Sequence, residues 1–252
     1  MRQQPPPYRR FAETLRKRIE SEEWKPGERL PSRARLAEEC GVTDAVVRRA
    51  QEWLIAEGVL TGRAGSGTYV AAWRDRVRVV RSPEREQAGQ APFYADMAAL
   101  GKRGTSESRT DGMVPATPDI ATRLGIAEGD YCVRTSYEYL ADGKPVQLVT
   151  SWEPYSLTAG SLVILPETGP LAGAGVVRRM AEIGITVAEV EERPEAGHAH
   201  AEEANLLGIQ TGTLVTRVRR TYYSDDGRAV ETADIVMPAS LCEIIYRFPV
   251  TR

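Results

Sequence analysis

The chain has 252 residues, of which 42% are hydrophobic and 27% charged, with a formal net charge of −2; that is enough apolar material for one large domain or two ordinary ones. No apolar run approaches the roughly 18 residues of a membrane span, and the opening MRQQPPPYRR lacks the apolar stretch of a signal peptide. Three widely spaced cysteines, Cys40, Cys132 and Cys242, form no CxxC, which argues against a disulfide framework or zinc knuckle and for reduced thiols in a cytoplasm.

The charge is unevenly distributed. Residues 1–80 carry 16 Lys and Arg against 11 Asp and Glu, and the remainder carries 17 against 24. A basic front joined to an acidic body points to a polyanionic partner for the front.

In chain order, PPP at 5–7 blocks a helix and lets one begin just after it. Phe11, Leu15 and Ile19 then recur every four residues, which predicts an amphipathic helix from Tyr8 to Glu23. WKPGERLPS is a turn broken at Pro26-Gly27. Ser32 can cap a second helix over 33–40, ended by Gly41. Thr43 can cap a third, running to about Glu57 and stopped at Gly58, with Val46, Val47, Ala50 and Leu54 on its inner face. The tight GV corner between the last two helices is that of a helix-turn-helix. VLTGRAGSGTYV (59–70) reads as strand, glycine-rich tip and strand, a β-hairpin wing. Residues 71–92 mix charge, Pro, Gly and Gln and read as a linker, with a short strand at Val77–Val80.

An internal repeat follows. Leu124-Gly125-Ile126 matches Leu207-Gly208-Ile209, an offset of 83 residues, and Gly129 and Arg134 match Gly212 and Arg217. After one inserted residue, Gly143, Val146 and Pro154 match Gly227, Val230 and Pro238. Each copy reads as short helix, LG turn, strand, D-G hairpin turn and strand. Two copies are too few for a solenoid. They predict two halves of one antiparallel sheet related by a pseudo-twofold, with a small-molecule cleft between them.

On the winged unit, Arg48 and Arg49 on the outer face of the third helix suit guanine edges or phosphates. Arg33 and Arg35 open the second helix, where it would cross the backbone. Thr43 and the amides behind it suit a phosphate. Arg63, Gly65, Ser66 and Gly67 form a wing tip whose glycines let a backbone approach the minor groove. Asp44 and Ala45 stand at the mouth of the third helix. Asp44 either accepts from a cytosine amine or pairs with Arg48, four residues on.

Residues 26–70 resemble the DNA-binding domain of the GntR superfamily of bacterial transcription regulators. The remainder resembles the UTRA effector domain of its HutC subfamily through PFYADMAALG (92–101), LADGKPV (140–146), DDGRAVE (225–231) and YRFPV (246–250). The resemblance implies an α+β protein: a winged helix-turn-helix domain (1–72), a linker (73–92) and a chorismate-lyase-like antiparallel α/β effector domain (93–252). It also implies a homodimer on double-stranded, inverted-repeat operator DNA. The family pattern P-S-E-R-E-L reads Pro31-Ser32-Arg33-Ala34-Arg35-Leu36 here, and Asp44-Ala45-Val46 stands where Arg-Thr-Thr is common, so an operator departing from the usual half-site is expected. Phosphosugar-sensing relatives carry two arginines where this chain has Tyr137 and Tyr139, and an acid where it has Val149. That pattern favours an apolar or aromatic effector bearing a few hydroxyls, unless the tyrosines simply cover a sheet. Arg220 and Tyr222 are their mates in the second copy, with Glu231 in the following strand. The resemblance also places the effector at Phe93-Tyr94, where free helix-start amides would hold an anion.

Enzyme signatures are missing: there is no G-x-S-x-G, Walker loop or dinucleotide fingerprint. His198 and His200, with Glu202, could ligate a metal, but no second cluster completes a site. No catalytic residue, metal or cofactor is expected, and no membrane partner. The sequence thus predicts a cytoplasmic regulator, a repressor in its expected sense with activator left open, modulated by a small effector it does not name. The rival readings are a lyase-like or ligand-binding enzyme with a vestigial DNA module, and a regulator whose cleft has collapsed.

Overall fold

The computed structural model describes residues 5–63, 65–71, 76–87 and 89–250, with Arg63 described by its backbone alone. The front of the chain folds as three helices and a hairpin: α1 (Pro7–Glu20), α2 (Arg33–Cys40), α3 (Asp44–Ala56), β1 (Leu60–Arg63) and β2 (Gly67–Val70). Local chemistry sets these limits. The Ser32 hydroxyl accepts from the Arg35 amide, the Thr43 hydroxyl accepts from the Val46 amide, and Gly41 closes α2 in the left-handed region. Phe11 and Leu15 of α1 meet Leu36 of α2, and Val47, Ala50 and Leu54 of α3, in one core sealed by Val59, Leu60 and Val70 of the wing. Gly58 turns the chain out of α3 at φ +72°, and a Cβ there would stand 3.3 Å from Ser240 Cβ, so this corner of the winged unit rests against the second half of the chain.

The second half is built on a six-stranded antiparallel sheet of order β4-β5-β6-β9-β8-β7, its strands being β4 (Gly104–Pro115), β5 (Tyr131–Ala141), β6 (Lys144–Pro154), β7 (Val187–His198), β8 (Leu214–Ser224) and β9 (Ala229–Pro238). The repeat extends beyond the matched motifs. Strand β4, helix α6 (Pro118–Leu124) and β5 reappear 83 residues later as β7, α9 (Ala201–Leu207) and β8. Both helices end on a left-handed glycine, Gly125 and Gly208. The central strands β6 and β9 pair so that Thr150 lies opposite Asp234, and these two are repeat mates under the 84-residue offset of Gly143 and Gly227. The pseudo-twofold axis therefore passes through that pair. Each copy's helix crosses to the other copy's strand: Arg123 of α6 donates to Thr232 Oγ1, Asp234 Oδ1 and the Ala233 carbonyl of β9, at 2.7 to 2.9 Å.

One face of the sheet carries α6 and α9. The other is covered by α5 (Pro92–Ala99), by α8 (Val176–Glu182), and by a pair of strands outside the main sheet, β3 (Val77–Arg81) running parallel to β10 (Cys242–Tyr246). The short strand expected at Val77–Val80 within the linker is β3, the single turn α4 (Pro83–Glu86) follows it, and Val77 and Val79 are buried in the core with Phe93, Met97 and Ile235. The alternation of Val77 and Val79 with Arg78 supplies one apolar edge, which is all that strand needs. A seventh short helix, α7 (Tyr155–Thr158), follows β6.

Candidate nucleic-acid interface and ligand cavity

The starts of α2 and α3 carry Arg33, Arg35, Thr43, Asp44, Ala45, Arg48 and Arg49, all exposed. Their cations are engaged within the chain. Arg35 pairs with Glu39 at 2.8 Å, Arg48 with Glu52 at 3.4 Å, and Arg33 Nε lies 3.9 Å from Asp44 Oδ1. Asp44 therefore takes its partner from α2 and not from Arg48: its single methylene reaches the neighbouring helix, while Arg48 finds Glu52 one turn on. Arg49 lies over the Tyr8 ring of α1 at 4.5 Å, turned toward the first helix. Exposed pairs of this kind contribute about 0–1 kcal/mol, so duplex phosphates can displace the acids. On the wing, Gly65 and Gly67 take φ +68° and +114°, and Ser66 Oγ hydrogen-bonds Tyr69 Oη at 2.6 Å. The Arg63 side chain lies outside the described residues. Arg29 is a basic residue that sequence reasoning missed: its guanidinium packs so closely on Gly67 that a Cβ there would be 2.9 Å from Nε.

Two hollows occupy opposite faces of the sheet. The larger, about 1140 Å³, is a broad open trough between α6 and α9 lined by many charged side chains. The smaller, about 70 Å³, lies between the sheet, α5, α8 and β3. Six of the seven residues expected to meet an effector line the smaller one: Phe93, Tyr137, Tyr139, Arg220, Tyr222 and Glu231. The seventh, Tyr94, does not; its hydroxyl hydrogen-bonds Ser106 Oγ at 2.7 Å. Nor is its amide free for an anion, because it donates to the Ala91 carbonyl at 3.1 Å, and Pro92, the first residue of α5, has no amide hydrogen to offer.

Strand alternation explains the gathering. Tyr137 and Tyr139 on β5, Gln147, Val149 and Ser151 on β6, Glu231 on β9, and Arg220 and Tyr222 on β8 all project from the same side. Tyr137 stacks on Tyr139 at 5.6 Å and 14°. Arg220 pairs with Glu231 at 3.2 Å and sits over the Tyr222 ring at 4.7 Å. Sequence reasoning missed a second ion pair. Arg179 of α8 grips both carboxylate oxygens of Glu153, and the two side chains are 3% and 1% exposed. Neither residue sits in a motif, and the pairing joins positions 26 apart on a helix and a strand, so no local signal announces it. The cavity is consequently more polar than its tyrosines indicate.

Burial raises the pKa of the Tyr137, Tyr139 and Tyr222 hydroxyls, so all three stay protonated donors. Burial also pushes the Glu231 carboxyl up, against the pull of Arg220. For Arg179, burial works against the charge and Glu153 more than offsets it, so the guanidinium is held charged.

The cavity wall reaches the chain that arrives from the winged unit. Tyr222 Oη donates to a carboxylate oxygen of Glu86 on α4. Arg81 at the end of β3 pairs with Glu192 of β7 at 2.7 Å, both nearly buried. Asp96 of α5 accepts from the Val80 amide at 3.1 Å and stands 3.4 Å from Arg85.

His198 Nδ1 lies 3.0 Å from the Gly212 carbonyl, and His200 begins α9 with its amide donating to Glu203. Among the described residues no group of three His, Cys, Asp or Glu could hold a metal ion.

Comparison with known proteins assigns the same two parts. Residues 7–70 match the model of bacterial regulatory proteins of the gntR family, and residues 99–242 match the UTRA domain. The transcriptional repressor NagR of Bacillus subtilis is 32% identical over 92% of this chain and 90% of its own length. The histidine utilization repressor of Pseudomonas aeruginosa is 25% identical over 96% and 91%. A crystal structure assigned to the GntR family of transcriptional regulators superposes with a TM-score of 0.73 at 42% identity, covering 98% of each chain.

Proposed function

Because the chain belongs to the GntR family of bacterial regulatory proteins, with a UTRA domain behind its helix-turn-helix domain, we propose that it is a repressor whose hold on operator DNA is set by what occupies the smaller cavity. It is a DNA-binding transcription regulator with an effector-binding domain, as its named relatives are. The start of α3 enters the major groove, with Arg48 and Thr43 on base edges and phosphates, Arg33 and Arg35 on the backbone, and the wing tip at the minor groove. Residues 1–72 form the DNA-reading unit and 93–252 the sensing and pairing unit, with β3 and α4 of the expected linker packed into the latter.

The observation that carries the regulatory part is the hydrogen bond from Tyr222 to Glu86. It ties the cavity wall to the segment that leads to the winged unit, so a ligand that moves Tyr222 changes the placement of that unit. A ligand shifts such an equilibrium only through its different affinity for the two arrangements. The space is about 70 Å³, so a ligand of more than a few heavy atoms presses on the elements that flank it, α5, α8 and β3.

One recognition helix reads one half-site, and a twofold pair of chains reads an inverted repeat. We therefore include a homodimer in the proposal, together with action as a regulator without catalysis, in the cytoplasm. Three free cysteines accord with a reducing compartment.

A gel shift against the DNA upstream of the protein's own gene tests the reading. Binding that weakens steeply with salt, and that is lost when Arg48 and Arg49 are both replaced by alanine, is the expected result. No binding at modest salt, or a double variant that binds as before, refutes it.

A further inference from the structure

The two copies of the repeat are symmetric in backbone and unlike in the cavity. Tyr139 and Tyr222 are mates and alike. Tyr137, however, stands in the place of Arg220, and Gln147 in the place of Glu231. At these mated positions the second copy supplies the charged pair Arg220–Glu231 where the first supplies Tyr137 and Gln147, and the Arg179–Glu153 pair joins α8 to the first copy's β6.

In the cavity lining, the buried side-chain atoms without a hydrogen-bond partner include Glu231 Oε2, Arg179 Nε and Arg220 Nε, the Glu231 and Arg179 side chains being 1% and 3% exposed. The first is an acceptor and the other two are donors. Buried polar atoms without partners are uncommon and costly, and a ligand that satisfies both kinds must itself donate and accept.

Net charge narrows the class. Arg179 is matched by Glu153 and Arg220 by Glu231, and Glu167 adds a further acid to the lining. A phosphate ester would bring extra negative charge into a buried site whose cations are already neutralised, and burying an uncompensated charge is costly. A ligand of no net charge brings none. Of such ligands, one carrying a formal cation also gains from the stacked Tyr137 and Tyr139 rings.

We propose that the cavity takes a small zwitterion, its protonated amine on Glu231 Oε2 and its carboxylate toward Arg179. This rests on the reading of the cavity as the effector site.

The test is isothermal titration calorimetry of the full-length protein with the protein L-amino acids, β-alanine and γ-aminobutyrate. Ethylamine and propionate serve as half-ligands, and inorganic phosphate and glucose 6-phosphate as the competing class. At least one zwitterion is expected to bind ten times more tightly than either half-ligand, and Glu231→Gln to weaken it tenfold or more. Should that variant not fold, a crystal of the wild-type complex gives the same answer, with the ligand nitrogen within hydrogen-bonding distance of Glu231. If a phosphate compound binds tighter than every zwitterion and Glu231→Gln still weakens it, the ligand class is wrong and the cavity stands. If no zwitterion binds, the class is likewise wrong. If a zwitterion binds elsewhere, or indifferently to Glu231→Gln, the cavity reading falls too.

Discussion

Asp44 of the recognition helix faces Arg33 of the preceding helix at 3.9 Å, while Arg48, its neighbour one turn on, is held by Glu52. The aspartate is thus a tertiary partner of a candidate backbone-contacting arginine, in the first turn of α3, where a negative charge is also favoured by the helix dipole.

Replacing Asp44 with asparagine releases Arg33 and removes a negative charge from the surface that meets phosphates. Nonspecific duplex affinity should rise several-fold at low salt. The gain comes from ending the competition between Asp44 and the phosphates for Arg33 and from removing a repelled charge, so it should shrink as salt rises. Fluorescence anisotropy across a salt series checks this, and an affinity unchanged at low salt means that Asp44 does not hold Arg33 away from the phosphates.

The Glu153–Arg179 pair predicts a large stability effect from a single truncation. Glu153→Gln leaves a buried guanidinium without its counter-charge, which typically costs about 3–5 kcal/mol. For a unit of this size that is roughly 6–20 °C in Tm. Differential scanning calorimetry reads it, and a loss under about 1 °C would show that water or another acid compensates.

Tyr222→Phe keeps the ring and removes the hydroxyl that Glu86 accepts from. The hydrogen bond itself contributes modestly, about 0.5–1.5 kcal/mol, so the fold should persist. Amide exchange over residues 80–87 should quicken while exchange in the central strands β6 and β9 stays as it was. Uniform quickening across the sheet would mean that Tyr222 acts on global stability and not on the segment.

Asp96 predicts a pH effect of definite sign. Burial raises its carboxyl from an ordinary 3.8 to about 6, against the Val80 amide and Arg85 and Arg81, with nearby Glu86 adding to the rise. A folded-state pKa above the unfolded one means that the native protein binds the extra proton between those values. This group's contribution to stability therefore falls as pH rises from about 4 to about 6 and is lowest above that. Asp96→Asn should flatten the Tm profile over that window, and a profile identical to wild type excludes Asp96 as its source.

Much of the front half was legible because its signals are local. Ser32, Gly41, Thr43 and Gly58 act on the backbone within a few residues, and the apolar spacing of α1 and α3 needs only the helical period. The repeat was legible for a similar reason: Gly125 and Gly208 are both needed at φ values near +64°, so their spacing survives in the sequence. The gathering of Tyr137, Tyr139, Arg220, Tyr222 and Glu231 follows from strand alternation once the two copies share a sheet. The strand at Val77–Val80 was legible but its place in the core was not, because β3 pairs with β10, 165 residues away, and nothing in a short charged segment reports so distant a partner.

The sequence by itself determined the three helices and wing of the front half and the helix, strand and strand of each repeat copy, because caps, turns and periodicity are nearest-neighbour chemistry. Only the tertiary structure decided which charges meet. Asp44 with Arg33, Arg179 with Glu153 and Tyr222 with Glu86 each join different elements, and such pairings exist only after packing has brought those elements within a few ångströms. Coulomb and hydrogen-bond energies depend on that distance and on burial, neither of which is written in sequence spacing.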